Sequence, residues 1–215
     1  MNYRFFLQKV IYRIINPVIR LMIKVGLTPN AVTTIGFLLN IVAAGAFTKA
    51  ALYAGNGCPT SMYSMVCWGG GIVLFAGLFD MMDGRLARMS NQSSVFGALW
   101  DSTLDRYSEL VTLSGICLLF IKAGWFWVGV ATFAAIVGSV MVSYVRARAE
   151  GLNIECKVGL MQRPERVVVT AIAAIISGAI ANLWWLAGGI LLIAVLANIT
   201  AFWRILHCYR QLKDK

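Results

Sequence analysis

The sequence predicts an all-α integral membrane protein, with six transmembrane helices and an N-terminal amphipathic interfacial helix. Three observations carry this. Of the 215 residues 60% are hydrophobic and only 13% charged, unlike an ordinary soluble domain. Apolar runs long enough to cross the ~30 Å hydrocarbon core of a bilayer recur along the chain. The net charge of +10 is unevenly placed: 17 of the 19 Lys and Arg fall on one side of a six-span topology, and only Lys49 and Lys122 on the other. That is the positive-inside pattern. It assigns the basic residues to the cytoplasmic face and its anionic lipids, and argues against nucleic acid as a partner. A single membrane domain, 1–215, accounts for the chain, divided into an interfacial helix (1–26) and a six-helix core (27–215).

Residues 3–25 alternate basic and apolar at helical period. Lys9, Arg13, Asn16, Arg20 and Lys24 share one face; Leu7, Ile11, Ile14, Val18 and Met22 share the opposite one. Such a helix lies on the inner leaflet, or packs on the body of the protein, rather than spanning. Asn16-Pro17 should kink or split it. Gly26 to Asn30 is a turn, with Thr28 or Asn30 capping the next helix. Spans follow at about 31–53, 65–79 and 95–121, then up to about 145, and at 166–181 and 186–206. Outer connections fall at 54–64, 122–124 and 182–185; inner ones at 89–94 and at the basic stretch 146–165. Trp125 and Trp127 sit at the outer interface, as belt aromatics do. Six spans leave both termini inside.

Gly115, Gly129, Ala131, Ala134, Gly138 and Ser139 give spans three and four small faces suited to close helix contact. Gly69, Gly70 and Gly71 do the same for span two, since no phosphate-loop pattern follows them. The five cysteines lack metal-ligand spacing. Cys58 and Cys67 lie near the outer face, as a disulfide or as unpaired small apolar residues. No secretory signal peptide is apparent.

Four of the nine acidic residues, Asp80, Asp83, Asp101 and Asp105, lie within 26 positions. Each pair has helical spacing and shares one face. One pair ends an apolar run and the other opens one, so four carboxylates meet the edge of a hydrophobic slab. That is costly unless a cation neutralises them. All-oxygen ligands suit Mg²⁺, Mn²⁺ or Ca²⁺, and two metals sharing carboxylates suit phosphoryl chemistry. The competing account is a buried ion-pair network, Asp80 or Asp83 with Arg85 or Arg88 and Asp101 or Asp105 with Arg106. Three arginines would then leave one acid unpaired.

The pattern Asp80-x2-Asp83-Gly84-x2-Ala87-Arg88-x8-Gly97-x3-Asp101-x3-Asp105 resembles the complete motif of the CDP-alcohol phosphotransferases. The resemblance implies a membrane enzyme that displaces CMP from a CDP-linked lipid. It implies two Mg²⁺ or Mn²⁺ ions held by Asp80, Asp83, Asp101 and Asp105, with Asp105 also the general base on the acceptor hydroxyl. Asp80, Gly84, Ala87 and Arg88 would surround the cytidine diphosphate. It further implies a homodimer in the bacterial inner membrane, with the site on the cytoplasmic side. Gly84 and Gly97 lack side chains, which permits nucleotide or a facing helix to come close.

Ser143 to Gly151, followed by Arg163-Pro164-Glu165-Arg166, is similar to the bacterial phosphatidylinositol-phosphate synthases. This implies CDP-diacylglycerol as donor and inositol 1-phosphate as acceptor, with Arg146, Arg166 and Arg204 on the acceptor's phosphate. Guanidinium groups suit phosphate bidentately. Arg148 and Arg163 are read as topology markers reaching lipid headgroups. Alternatives are glycerol 3-phosphate (a phosphatidylglycerophosphate synthase) or free inositol as acceptor, and a non-enzymatic anion carrier. A carrier predicts acidic or polar groups midway along several spans, whereas the four aspartates lie at an inner end. Thr33, Ser93 and Ser94 line a cytidine pocket or cap helices. His207 is an interfacial side chain. The only His, His207, lies past the last span with its neighbour Cys208, so no nucleophile–base pair is read beside the aspartates and transfer is read as direct.

Overall fold

The computed structural model describes residues 15–213, and its ordered elements are helices; no strand occurs among the described residues. They are α1 (described over 15–24), α2 (Pro29–Gly55), α3 (Pro59–Met89), α4 (Val95–Lys122), α5 (Phe126–Glu150), α6 (Arg163–Ile180) and α7 (Trp184–Lys213). Four of these, α2, α3, α5 and α7, are long and apolar enough to cross a membrane. In the other two long helices charged residues interrupt the apolar run: Asp101, Asp105, Arg106 and Glu109 in α4, Arg163, Glu165 and Arg166 in the 18-residue α6.

Local chemistry sets the boundaries. Thr28 caps α2, its hydroxyl accepting from Ala31 N at 3.3 Å, and Ser94 caps α4 by accepting from Gly97 N at 2.9 Å. The outer connection expected at 54–64 shrinks to 56–58. Gly57 turns the chain with φ +69° and Pro59, whose fixed φ suits the first helical position, restarts it at once. The second span and the first aspartate pair are therefore one unbroken 31-residue helix. The inner connection shortens likewise to 151–162, and α7 carries on through the basic tail.

The six long helices close into a ring of neighbours: α2 packs on α3, α3 on α6, α6 on α7, α7 on α5, α5 on α4 and α4 on α2. Small residues make the tight crossings. A Cβ at Gly115 would lie 2.8 Å from the Ala44 carbonyl on α2, and one at Gly70 would lie 2.8 Å from the Ala171 carbonyl on α6. Gly138 faces Asn198 of α7, whose amide donates to the Ala134 carbonyl at 3.0 Å.

The described part of α1 docks on the inner ends of α2 and α3. Ile15 and Ile19 are buried with Val32, Met82 and Leu86, and Arg85 Nε donates to the side-chain Oδ1 of Asn16 at 3.4 Å. Pro17 does not break this stretch; residues 1–14, including Leu7, Ile11, Ile14, Lys9 and Arg13, lie outside the described residues. The packing face differs from the one expected: Val18 points outward, with Leu21 and Val25. The helix thus has two apolar faces, one against protein and one free for lipid. All five cysteines are free thiols. Cys58 and Cys67 stand nine residues apart along one helix, roughly 13 Å at 1.5 Å per residue, too far for a disulfide.

Candidate active site

The inner halves of α3 and α4 lie on opposite sides of a cavity of about 180 Å³, walled by α2, α3, α4 and α6. Asp80, Asp83 and Asp105 line it together with Thr33, Ser108, Glu109, Arg163 and Arg166; its remaining wall is largely apolar, including Phe37, Leu74, Leu78, Val167 and Val168. Carboxylate oxygens of Asp80, Asp101 and Asp105 lie within 4.8 Å of one another. Asp83 is within electrostatic reach of Asp80 and Asp101. Its Oδ2 accepts from the Thr33 hydroxyl at 2.8 Å and its Oδ1 from the Gly84 backbone N–H. The four aspartates predicted from spacing alone thus converge, because two helix faces of matching depth meet across α2.

The cation among them is Arg163. Its Nη1 donates to both oxygens of Asp80 at 2.8 Å, and its Nη2 pairs with Asp105 at 2.8 Å. This corrects the reading of Arg163 as a headgroup marker: it is largely buried, at the first turn of α6. It also corrects the ion-pair account. Arg85 reaches Asn16, Arg106 donates to the Ser102 carbonyl, and Arg88 is exposed. The Nε of Arg163 has no hydrogen-bond partner among the described residues, so this guanidinium is only partly satisfied where it stands.

The donor set tests well for a hard divalent ion. It is all carboxylate oxygen, it holds more negative charge than one arginine balances, and a cationic group already occupies it. Asp80, Gly84, Ala87 and Arg88 follow one stripe of α3 (i, i+4, i+7, i+8), and a Cβ at Gly84 would meet open space. Gly97 instead faces the α2 N-terminus, where a Cβ would sit 3.2 Å from Asn30 Oδ1.

The three arginines of the expected acceptor site are placed unequally. Arg166 is buried in the cavity wall; its Nε and Nη2 donate to the two oxygens of Glu109 at 2.6 and 2.8 Å, and its Nη1 to the Met161 carbonyl at 3.3 Å. Arg204 is buried outside that wall, donating to the carbonyls of Val142 at 2.6 Å and Val158 at 2.8 Å. It lies within electrostatic reach of both Arg146 and Arg166. Arg146 pairs with Glu150 at 2.9 Å on a half-exposed surface. The inner loop roofs Arg204: Leu160 N donates to the Thr200 hydroxyl, and Gly159 is the point of closest approach to that residue. Within this loop burial pushes the Cys156 thiol up, so it stays protonated and inert. His207 contacts the Glu155 carbonyl at 3.2 Å, away from the aspartates.

Two residues of the cavity escaped the sequence reading. Glu109 follows Asp105 by one helical turn and so shares its face, a signal present in the spacing. Arg163 shares a local run with Arg166, but nothing in the sequence shows which guanidinium turns toward the acids.

Comparisons with known proteins follow this geometry. Residues 26–203 match the family model described as CDP-alcohol phosphatidyltransferase. The chain is 31% identical to the archaetidylinositol phosphate synthase of Methanothermobacter thermautotrophicus, over 96% of this chain and 94% of that protein. It is 32% identical to the phosphatidylinositol phosphate synthase of Mycobacteroides abscessus, over 92% and 84%. The crystal structure of Mycobacterium tuberculosis phosphatidylinositol phosphate synthase with CDP-DAG bound superposes with a TM-score of 0.75 at 30% identity, covering 92% of this chain and 94% of that one. The same enzyme in complex with manganese and citrate superposes at 0.73, with 29% identity over 90% and 88%. The chain belongs to the CDP-alcohol phosphatidyltransferase family, as a multi-pass membrane enzyme whose aspartate motif opens on the cavity between α2, α3, α4 and α6.

Proposed function

We propose that this enzyme transfers the phosphatidyl group of CDP-diacylglycerol to inositol 1-phosphate and releases CMP. The observation that carries the reading is the cluster of Asp80, Asp101 and Asp105 bridged by Arg163, beside the Arg166–Glu109 pair, at a cavity whose remaining wall is largely apolar. A diphosphate can reach the charged end while acyl chains stay against the apolar wall or in the bilayer. The names of the relatives support the acceptor. Mg²⁺ or Mn²⁺, one or two ions held by Asp80, Asp83, Asp101 and Asp105, would neutralise the diphosphate and acidify the acceptor hydroxyl.

The chain's own groups do the rest. The acceptor hydroxyl oxygen attacks the lipid-side phosphorus, and the bond from that phosphorus to the CMP oxygen breaks. Asp105 takes the hydroxyl proton. Asp80, Gly84, Ala87 and Arg88 orient the cytidine diphosphate, with Gly84 leaving room for it. Arg166, with Arg146 and Arg204 nearby, receives the acceptor's phosphate, once the inner loop yields access to Arg204. Arg163 keeps Asp80 and Asp105 neutralised between turnovers.

The same reading places α4 and α6 as spans beside the four apolar helices, since both are links of one ring, giving six spans in a single domain. It places both termini and the site on the cytoplasmic face, from the Lys and Arg asymmetry, in an inner membrane. A homodimer completes it, tested by mass measurement in native membrane patches. Archaetidyl lipid in place of diacylglycerol is a second reading for the donor, motivated by the 31% identity to an archaetidylinositol phosphate synthase.

The experiment is CMP release by purified protein with Mg²⁺ or Mn²⁺. It compares inositol 1-phosphate, free inositol and glycerol 3-phosphate as acceptors, and diacyl and archaetidyl CDP-lipids as donors. Selective turnover of the diacyl lipid with inositol 1-phosphate is expected. Turnover only with glycerol 3-phosphate overturns the acceptor, and turnover only with the archaetidyl lipid overturns the donor.

A further inference from the structure

Two ion pairs cross the cavity between helices that do not pack closely on each other. On α4, Asp105 and Glu109 stand four residues apart; on α6, Arg163 and Arg166 stand three apart; Asp105 meets Arg163 and Glu109 meets Arg166. The two rungs differ in kind. Arg163 shares its charge between two helices and keeps an unpartnered Nε. Arg166 is gripped along one edge: Nε and Nη2 both end on Glu109, at 2.6 and 2.8 Å, and the guanidinium is 1% exposed.

A guanidinium has two edges that can each hold an oxyanion in parallel hydrogen bonds. Glu109 takes the side edge. Beyond that edge, the one further acceptor for Arg166 among the described residues is the neutral Met161 carbonyl, which takes a bond from Nη1 at 3.3 Å and leaves the second proton of Nη2 for the end edge. That bond is the longest and weakest of the three, and the one an incoming phosphate most readily replaces. Displacing Glu109 instead would leave a carboxylate unpaired in an apolar wall, next to Asp105, at high cost.

Resting on the acceptor assignment above, we infer that Glu109 is a positioning residue: it clamps the side edge of Arg166 so that the end edge is presented to the phosphate of the acceptor polyol. It touches neither substrate.

The test uses full-length protein and the CMP-release assay, with Glu109→Gln and Glu109→Asp beside wild type. The amide keeps the shape of the side chain but accepts only one of the two bonds and has no charge. Its expected effect is a rise of about tenfold in the KM for inositol 1-phosphate, the worth of one charge-assisted hydrogen bond. The KM for the CDP-lipid and kcat should stay within about twofold, since neither donor nor hydroxyl contacts this residue. Glu109→Asp keeps the charge, and should restore acceptor KM at least partly.

An unchanged acceptor KM in Glu109→Gln overturns the inference. So does an equal loss in donor KM, acceptor KM and kcat, which would mark a merely structural ion pair. If the glutamine variant does not fold, Glu109→Asp alone decides, the same split in smaller measure supporting the inference and its absence overturning it. Wild-type protein that turns over a different acceptor refutes the acceptor assignment rather than the clamp, and the two failures are separable in one experiment.

Discussion

Arg163 and the four aspartates show how much a single side chain decides. The acids sit at one end of long apolar helices, where unpaired charge is expensive, and one guanidinium bridges two of them at 2.8 Å. On the proposed mechanism Asp105 takes the acceptor's proton, so Asp105→Asn should lower kcat by about 10² to 10⁴, with melting temperature in detergent kept. Thr33 acts one step back. Its hydroxyl donates to one oxygen of Asp83 at 2.8 Å, with the Pro29 carbonyl at 3.1 Å as the alternative acceptor of the same proton. Thr33→Val should weaken Mn²⁺ binding, read by electron paramagnetic resonance of the free ion, by about tenfold, and Thr33→Ser should restore it. Equal Mn²⁺ affinity in the valine variant would show that the hydroxyl does not orient this ligand.

At the scale of the helices, glycines separate packing from chemistry. A Cβ at Gly70 would meet Ala171 O, Ala174 Cβ and Ile175 N, all within 2.9 Å, two of them backbone atoms that cannot rotate away. Gly70→Ala should therefore force α3 and α6 apart and cost about 1–3 kcal/mol, seen as a lower melting temperature. Gly84 lies on the same helix with nothing within 4 Å. Gly84→Ala should leave stability within about 0.5 kcal/mol while raising the KM for the CDP-lipid, because on the proposed mechanism the space it fills is the nucleotide's. A loss of stability at Gly84, or none at Gly70, would reverse these assignments. The helices themselves were legible from hydropathy; their ends were not always. Thr28 and Ser94 announce their caps, but the run from Pro59 through Met89 hides its start, because Gly57 and Pro59 turn the chain in three residues where composition suggests a longer loop.

For the whole molecule, the ring of six helices makes the site a property of assembly. Removing divalent metal with a chelator should abolish CMP release, and Mn²⁺ or Mg²⁺ should restore it. The fold should survive that treatment, since Arg163 neutralises Asp80 and Asp105 in place of an ion. Chelation that also unfolds the protein would mean the arginine is no adequate substitute.

Sequence alone determined the helical membrane class, the aspartate constellation and most of the glycine contacts; Gly71, expected to pack with Gly69 and Gly70, has nothing within 4 Å. Hydropathy and i,i+3 or i,i+4 spacing are local properties that survive in any fold these helices adopt. Only the tertiary structure decided which cation meets which acid. Arg163 and Arg166 differ by three positions in one short run, yet one reaches Asp80 across 83 residues of chain and the other Glu109 across 57. Ion-pair partners are set by how helices are rotated and at what depth they cross, and that is fixed by packing on every neighbour in the ring, not by any pattern within one helix.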